Sequence, residues 1–184
     1  MTHGKVTSQL AGVLHEWLSP QGYEVLHDHR QDENDPEDRL GKLRSWYGPD
    51  YNFNAILTDL DMAVVARGGN KVFVLVEIEE TTDKPKVILG DVLATLLGRG
   101  IKFQGKRELE VGEWTTLVVM ARSSHQSNPD RVRHLSEQLQ QIKSGLSTPN
   151  AVIGRIVVDT FDAESQLECK LKEQIQQALQ GHMS

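Results

Sequence analysis

Residues 72–79 read Val-Phe-Val-Leu-Val-Glu-Ile-Glu, and no other segment restricts the fold so tightly. Side chains on a strand alternate between faces, so Val72, Val74, Val76 and Ile78 point one way and Phe73, Leu75, Glu77 and Glu79 the other. A strand apolar on both faces until its carboxylates begin belongs in the middle of a sheet that is covered on both sides. The valine-rich run Ala55–Ala66 precedes it, and Gly68-Gly69-Asn70 separates the two, which predicts a β-hairpin.

The remaining elements follow from periodicity and punctuation. Val6–Leu18 has helical spacing and ends at Ser19-Pro20-Gln21-Gly22; Tyr23–His29 alternates as a first strand. Residues 28–38 hold six acids and Pro36, a solvated loop. Asp83-Lys84-Pro85 opens a helix that Gly98 closes, with Asp83 as its expected N-cap. After a basic loop at 99–107 come a strand at 114–121, a helix at 128–143, a strand at 151–159 and a helix at 164–179. This order predicts an α/β fold, one mixed central sheet flanked by helices, in a single domain of 184 residues.

Composition removes several classes of function. The 20 basic and 26 acidic side chains give a net charge of −6, which argues against a protein that coats nucleic acid through bulk positive charge. One cysteine, Cys169, excludes an intramolecular disulfide and any cysteine-rich zinc module. Cys169 lies at amphipathic spacing in the last helix and is expected to be inert packing. No apolar run exceeds five residues and no leader-like segment opens the chain, so neither a membrane nor a secreted location is expected, and the cytoplasm is. Phosphate-binding and dinucleotide glycine motifs and the G-x-S-x-G elbow are absent from the sequence.

The chemistry concentrates in the hairpin. With Gly68-Gly69-Asn70 as a three-residue loop, Arg67 pairs with Lys71 and paired residue numbers sum to 138. Asp61 then stands across from Glu77 and Asp59 across from Glu79, with Cβ atoms about 5 Å apart. Four carboxylates on one patch need cations, nearby Lys or Arg, or protonation. Hard, oxygen-ligated ions such as Mg²⁺ (or Mn²⁺) suit such a site, and Lys84 and Lys86 at the start of the next helix are near enough to steady a phosphate. Four acids at a solvated sheet end, paired with surface lysines, is the alternative.

Thr58-Asp-Leu-Asp-Met-Ala-Val-Val65, then Val76-Glu-Ile-Glu79, in this order of elements, resemble the PD-(D/E)XK nuclease superfamily and its restriction-endonuclease-like fold. That core runs helix, three strands, helix, strand, which corresponds here to about residues 5–121, leaving a helix–strand–helix extension at 128–180. The resemblance implies a metal-dependent endonuclease acting on DNA. It makes Asp61 and Glu77 metal ligands, Glu79 a third ligand or the general base, Asp59 a secondary ligand, and Glu16 of the first helix either an additional one or, more simply, an exposed helix acid. Glu79 stands where the family motif has lysine, and Lys84 or Lys86 would supply that charge from the helix. An inactive relative that binds nucleic acid or protein is the alternative reading. Cutting two strands takes two sites, hence an expected homodimer.

Three further segments carry weaker signals. His27 and His29 share a strand face, but without a third ligand a solvated strand end is favoured over zinc. Trp46–Phe53 holds four of the ten aromatics, suited to stacking on bases or, more simply, to covering the sheet. Arg99, Lys102, Lys106 and Arg107 are candidates for phosphate contact.

Overall fold

In the computed structural model, which describes residues 5–28, 41–80, 84–123 and 129–181, the doubly apolar segment is the middle strand of a five-stranded sheet. The elements in chain order are α1 (Lys5–Leu18), β1 (Tyr23–His27), β2 (Leu43–Trp46), β3 (Ile56–Leu60), β4 (Met62–Ala66), β5 (Val72–Glu79), α2 (Pro85–Leu96), β6 (Gly100–Phe103), β7 (Arg107–Leu109), β8 (Thr116–Arg122), α3 (Pro129–Ser144), β9 (Arg155–Phe161) and α4 (Glu164–Gln180). The first sheet has the order β1-β4-β5-β8-β9, with β4 antiparallel to its neighbours and β5, β8 and β9 mutually parallel. The mixed α/β architecture agrees with the sequence, and β9 of the expected extension is an integral edge of this sheet.

The expectation of a single sheet is corrected. A second, antiparallel sheet has the order β3-β2-β6-β7. β3 comes from the expected run 55–66, whereas β2, β6 and β7 form where no strand is expected, because strands of three or four residues with charged alternate positions carry little period-2 signal. Leu43, Leu60, Ile101 and Phe103 of this second sheet join Ile88, Val92 and Leu96 of α2 and Leu139 of α3 against one face of the first sheet. The other face packs on α1 and α4 through Leu10, Leu14, Leu18, Leu171 and Ile175. Gly98, just past α2, lets the layers meet: a Cβ there would lie 2.1 Å from Ser45 Oγ and 2.5 Å from Asn150 Nδ2.

The run 55–66 is two strands, not one. It divides at Asp61, where the chain passes from the second sheet (β3) to the first (β4). The hairpin also reaches its register by another route than expected. Ala66 N–H donates to Lys71 O at 3.0 Å and Val65 pairs with Val72, which leaves a four-residue turn at 67–70 instead of three. A β-bulge then inserts Phe73, and from Val64↔Val74 to Met62↔Val76 paired numbers sum to 138. The bulge puts Val72 with Leu75 on the α2 side, and Phe73 with Val74 and Val76 on the α1 side.

Other boundaries move by a few residues. Lys84 occupies the N-cap of α2, and Asp83, expected there, lies outside the described residues. Residues 149–152 form a 3₁₀ turn before β9. Cys169 is exposed, not packed. No helix among the described residues is long and apolar enough to cross a membrane.

The edge strand β9 is closed by side chains. The Gln140 amide donates to Gly154 O at 2.9 Å and accepts from Ile156 N–H at 3.0 Å, while Ser136 Oγ accepts from Val158 N–H at 2.9 Å and donates to its carbonyl at 3.3 Å. Helix α3 thus takes the position of a missing neighbour strand. Gln140→Ala leaves the Ile156 N–H without its partner, and a loss of about 1–2 kcal/mol is expected in chemical denaturation. A change within about 0.5 kcal/mol, usual for surface substitutions, would mean that the edge needs no such cover.

Candidate active site

The site forms where the first sheet loses its regular pairing. In the register 138, the residue opposite Ile78 would be Leu60, but Leu60 has turned into the second sheet. Asp61 replaces it: its Oδ2 accepts the Ile78 N–H at 2.7 Å. The same register sets Asp61 across from Glu77, one step beyond Met62↔Val76. On its other side the β1–β4 ladder runs to His27↔Met62, and Asp28 N–H donates to Asp61 O at 3.3 Å. Asp28, Asp61 and Glu77 therefore form a row across three adjacent strands spaced about 4.8 Å apart. By strand alternation the row lies on the α2 side, the side of Ala63 and Leu75.

Little solvent reaches this row. The Asp28 side chain is 4% exposed and Glu77 8%. Glu77 Oε1 is buried with no hydrogen-bond partner, and so is Glu80 Oε1 just beyond the strand. Half-buried Asp91 contributes a further acid from α2, and Glu79 lies on the same face of β5 as Glu77.

The electrostatics reflect this crowding. Burial, followed by the charges of Asp28, Glu80 and Asp91, pushes the Asp61 carboxyl up to about 7 against the relief given by the Ile78 N–H. Burial and then the Asp61 charge raise Glu77 well above the ordinary carboxylate range, although Glu77 also accepts from the Asp61 backbone N–H. Asp91 is raised by burial and by Glu79. The leading influences on all three are desolvation and other carboxylates, so the charge deficit is met by protons or by a cation.

Every donor here is a hard carboxylate oxygen, the ligand class of Mg²⁺ or Mn²⁺, and an orphaned buried oxygen on Glu77 fits such an ion. Among the described residues no three His, Cys, Asp or Glu side chains are already drawn to a single point, so ligation would use rotamer changes within the row.

Of the residues expected from the sequence, Asp61, Glu77 and Glu79 share this face. Asp59 does not oppose Glu79. It belongs to β3 in the second sheet, where Arg44 Nε and Lys42 Nζ lie 3.0 and 3.2 Å from its carboxylate. Lys42 also reaches Asp28 at 2.9 Å, which brings a cation to the edge of the row. Its own burial opposes the charge, but the bonds to Asp28 and Asp59 prevail and raise its pKa. Lys84 and Lys86 are exposed at the start of α2.

Glu16 is far from the row. Helix α1 packs on the opposite face and its last turn leads into Tyr23, which pairs with Ala66 at the other end of the sheet. His27 is buried on the α1 side, and His29 lies outside the described residues. Arg107, expected at a phosphate, instead pins the hairpin turn, bonding Glu24 at 2.5 Å, Asn70 at 3.2 Å and Gly69 O.

Asp28 and Asp91 were missed from sequence. Asp28 opens the acid-rich stretch 28–38, whose charge and Pro36 give it the pattern of a solvated loop. Asp91 carried a usable signal, since Ile88, Asp91 and Thr95 follow the i, i+3, i+7 spacing of a buried helical stripe.

The shift of Asp61 sets a sign for stability against pH. Its folded pKa lies above the unfolded value of 3.8, so stability is fullest below pH 4 and falls as pH rises through about 7. At 1.36 kcal/mol per unit, the full effect is at most about 4 kcal/mol. Asp61→Asn is therefore expected to raise the melting temperature of the metal-free protein at pH 8 and to change it little at pH 5. Equal destabilisation at both values would mean that Asp61 is comfortably charged in the fold.

Compared with family models, with curated proteins and with solved structures, the chain matches none.

Proposed function

We propose that this protein is a divalent-metal-dependent nuclease that hydrolyses phosphodiester bonds in DNA, built on a restriction-endonuclease-like core. The observation that carries this reading is that partly buried Asp61 and buried Glu77 face each other on adjacent strands with a Glu77 oxygen left unpartnered. The topology supports it: α1, the antiparallel strands β1, β4 and β5, then α2 and the parallel strand β8 repeat the order helix, three strands, helix, strand. The second sheet is then an insertion between core strands. The reading keeps the expected cytoplasmic location and, for cutting both strands, a homodimer.

In this reading Asp61 and Glu77 hold the ion, Mg²⁺ or Mn²⁺. When bound, such an ion supplies hydroxide at neutral pH and offsets phosphate charge. Glu79, half-buried and further along β5, is a third ligand or accepts the proton of the attacking water. Asp28 and Asp91 deepen the negative field that attracts the cation. Lys42 offsets that field at the rim, and Lys84 and Lys86 meet the phosphate from the solvent side. Asp59, tied to Arg44 and Lys42, orients those cations instead of ligating.

A cleavage assay on plasmid and single-stranded DNA with Mg²⁺ or Mn²⁺ tests the reading. Wild-type protein is expected to cut, and Glu77→Gln to lose roughly 100-fold or more of the rate. A wild-type protein that leaves both substrates intact at millimolar metal would favour the inactive, binding-only relative. Cutting unaffected by Glu77→Gln would move the chemistry elsewhere.

A further inference from the structure

The outer face of the second sheet is chemically unlike the rest of the molecule. Strand pairing sets Arg44 of β2 beside Lys102 of β6, flanked by Asp59 of β3 and Glu108 of β7. Their neighbours along the strands, Leu43, Leu60, Ile101, Phe103 and Leu109, point into the core, so the charged row faces out. The loop after β2 folds over this row. Tyr51 stands edge-on to Trp46, with ring centroids 6.0 Å apart, and Lys102 Nζ lies 5.0 Å from the Tyr51 ring centre and 5.7 Å from that of Trp46.

Arg44 donates to Asp59, with its guanidinium 5.7 Å from the Phe53 ring centre. Phe53 is 78% exposed, which no contribution to folding explains. It is an apolar ring held in water beside a cation.

We infer that this face binds an unpaired DNA strand, stacking bases on Phe53 and Tyr51 and contacting phosphates through Arg44, Lys102 and Lys42. The inference rests on the nuclease reading for its direction and adds a substrate class, single-stranded or locally unpaired DNA. Stacking on aromatic side chains tolerates every base, and interleaved cations follow the backbone. The chain carries −6 overall, yet among the described residues this face gathers Lys42, Arg44, Lys102 and Lys106, in the turn whose Gly105 abuts Tyr51, beside Asp28, Asp50, Asp59 and Glu108. Lys102 forms no ion pair among the described residues; its ammonium lies over the Tyr51 and Trp46 rings.

The face also leads to the carboxylate row. From Ile56, beside this loop, to Asp61 is five residues of extended chain, about 17 Å, a span of a few nucleotides. Contacts run the same way, from Phe53 to Arg44, to Asp59, to Lys42 and to Asp28. A base stacked on Phe53 would direct the strand toward Asp61 and Glu77.

The test is fluorescence anisotropy with a labelled 15-nucleotide oligo-dT and a duplex of equal length, in EDTA so that nothing is cut. Wild-type protein is expected to bind the single strand more tightly than the duplex. Phe53→Ala, at an exposed position, should weaken oligo-dT binding roughly tenfold or more with an unchanged melting temperature. Lys102→Ala should weaken it and lower the salt slope by about 0.7, one phosphate contact. Binding insensitive to both changes, or equal affinity for duplex, overturns the inference.

The two readings fail separately. Glu77→Gln should keep oligo-dT affinity while losing cleavage. Cleavage with no Phe53 dependence of binding sinks this inference alone; Phe53-dependent binding by a wild-type protein that never cuts sinks the nuclease reading alone.

Discussion

The hydrogen bond from Ile78 N–H to the Asp61 carboxylate holds two sheets and one site together. A continuous strand from Ile56 to Ala66 would place Leu60 opposite Ile78 and complete the ladder with backbone. Instead the chain leaves the first sheet at Asp61 so that Leu60 can join the core under α2. A buried β5 N–H would then lack a partner, at a cost of about 1–3 kcal/mol. The Asp61 side chain accepts it and is thereby drawn into the interior, directly across from Glu77. A structural need and a chemical capacity share one residue.

That arrangement has an electrostatic consequence. Buried carboxylates in a row cannot all ionise without compensation. Lys42 offsets Asp28 and Asp59 at the margin, but Asp61, Glu77 and Asp91 are pushed up by burial and by neighbouring carboxylates. The fold therefore stores an unmet demand for positive charge in a place sealed on one side by α2 and bordered on the other by the second sheet. In the proposed reading a divalent ion would meet that demand, and a phosphodiester would be drawn by the same ion. The outer face of the second sheet, where Phe53 stands beside Arg44, is where the inference extends this logic to the rest of a polynucleotide.

Much of this was legible in residue pattern, and the failures have physical causes. Val72–Glu79 is apolar at both parities, so its central position follows from alternation alone. The facing of Asp61 and Glu77 also followed, although by a three-residue loop where the chain uses a four-residue turn and a bulge at Phe73. Two displacements of one residue cancel, and only backbone geometry distinguishes them. The second sheet was hidden because β2, β6 and β7 owe their form to non-local pairing, not to their own short patterns. Asp59 was misplaced for the same reason: its run changes sheets at Asp61. Glu16 was misplaced because the direction of α1 against β1 is a tertiary fact. Asp28 and Asp91 need the assembled layers to be seen as neighbours of Asp61.

The most direct test of the central claim is calorimetric titration of the metal-free protein with Mn²⁺ near pH 6.5, in two buffers of different ionisation enthalpy. An ion that enters between Asp61 and Glu77 displaces the proton these raised carboxyls retain. Binding with release of roughly one proton per ion, abolished in Asp61→Asn and Glu77→Gln, is the expected result. Binding without proton release, or binding that survives both substitutions, would contradict a shared ion at this pair.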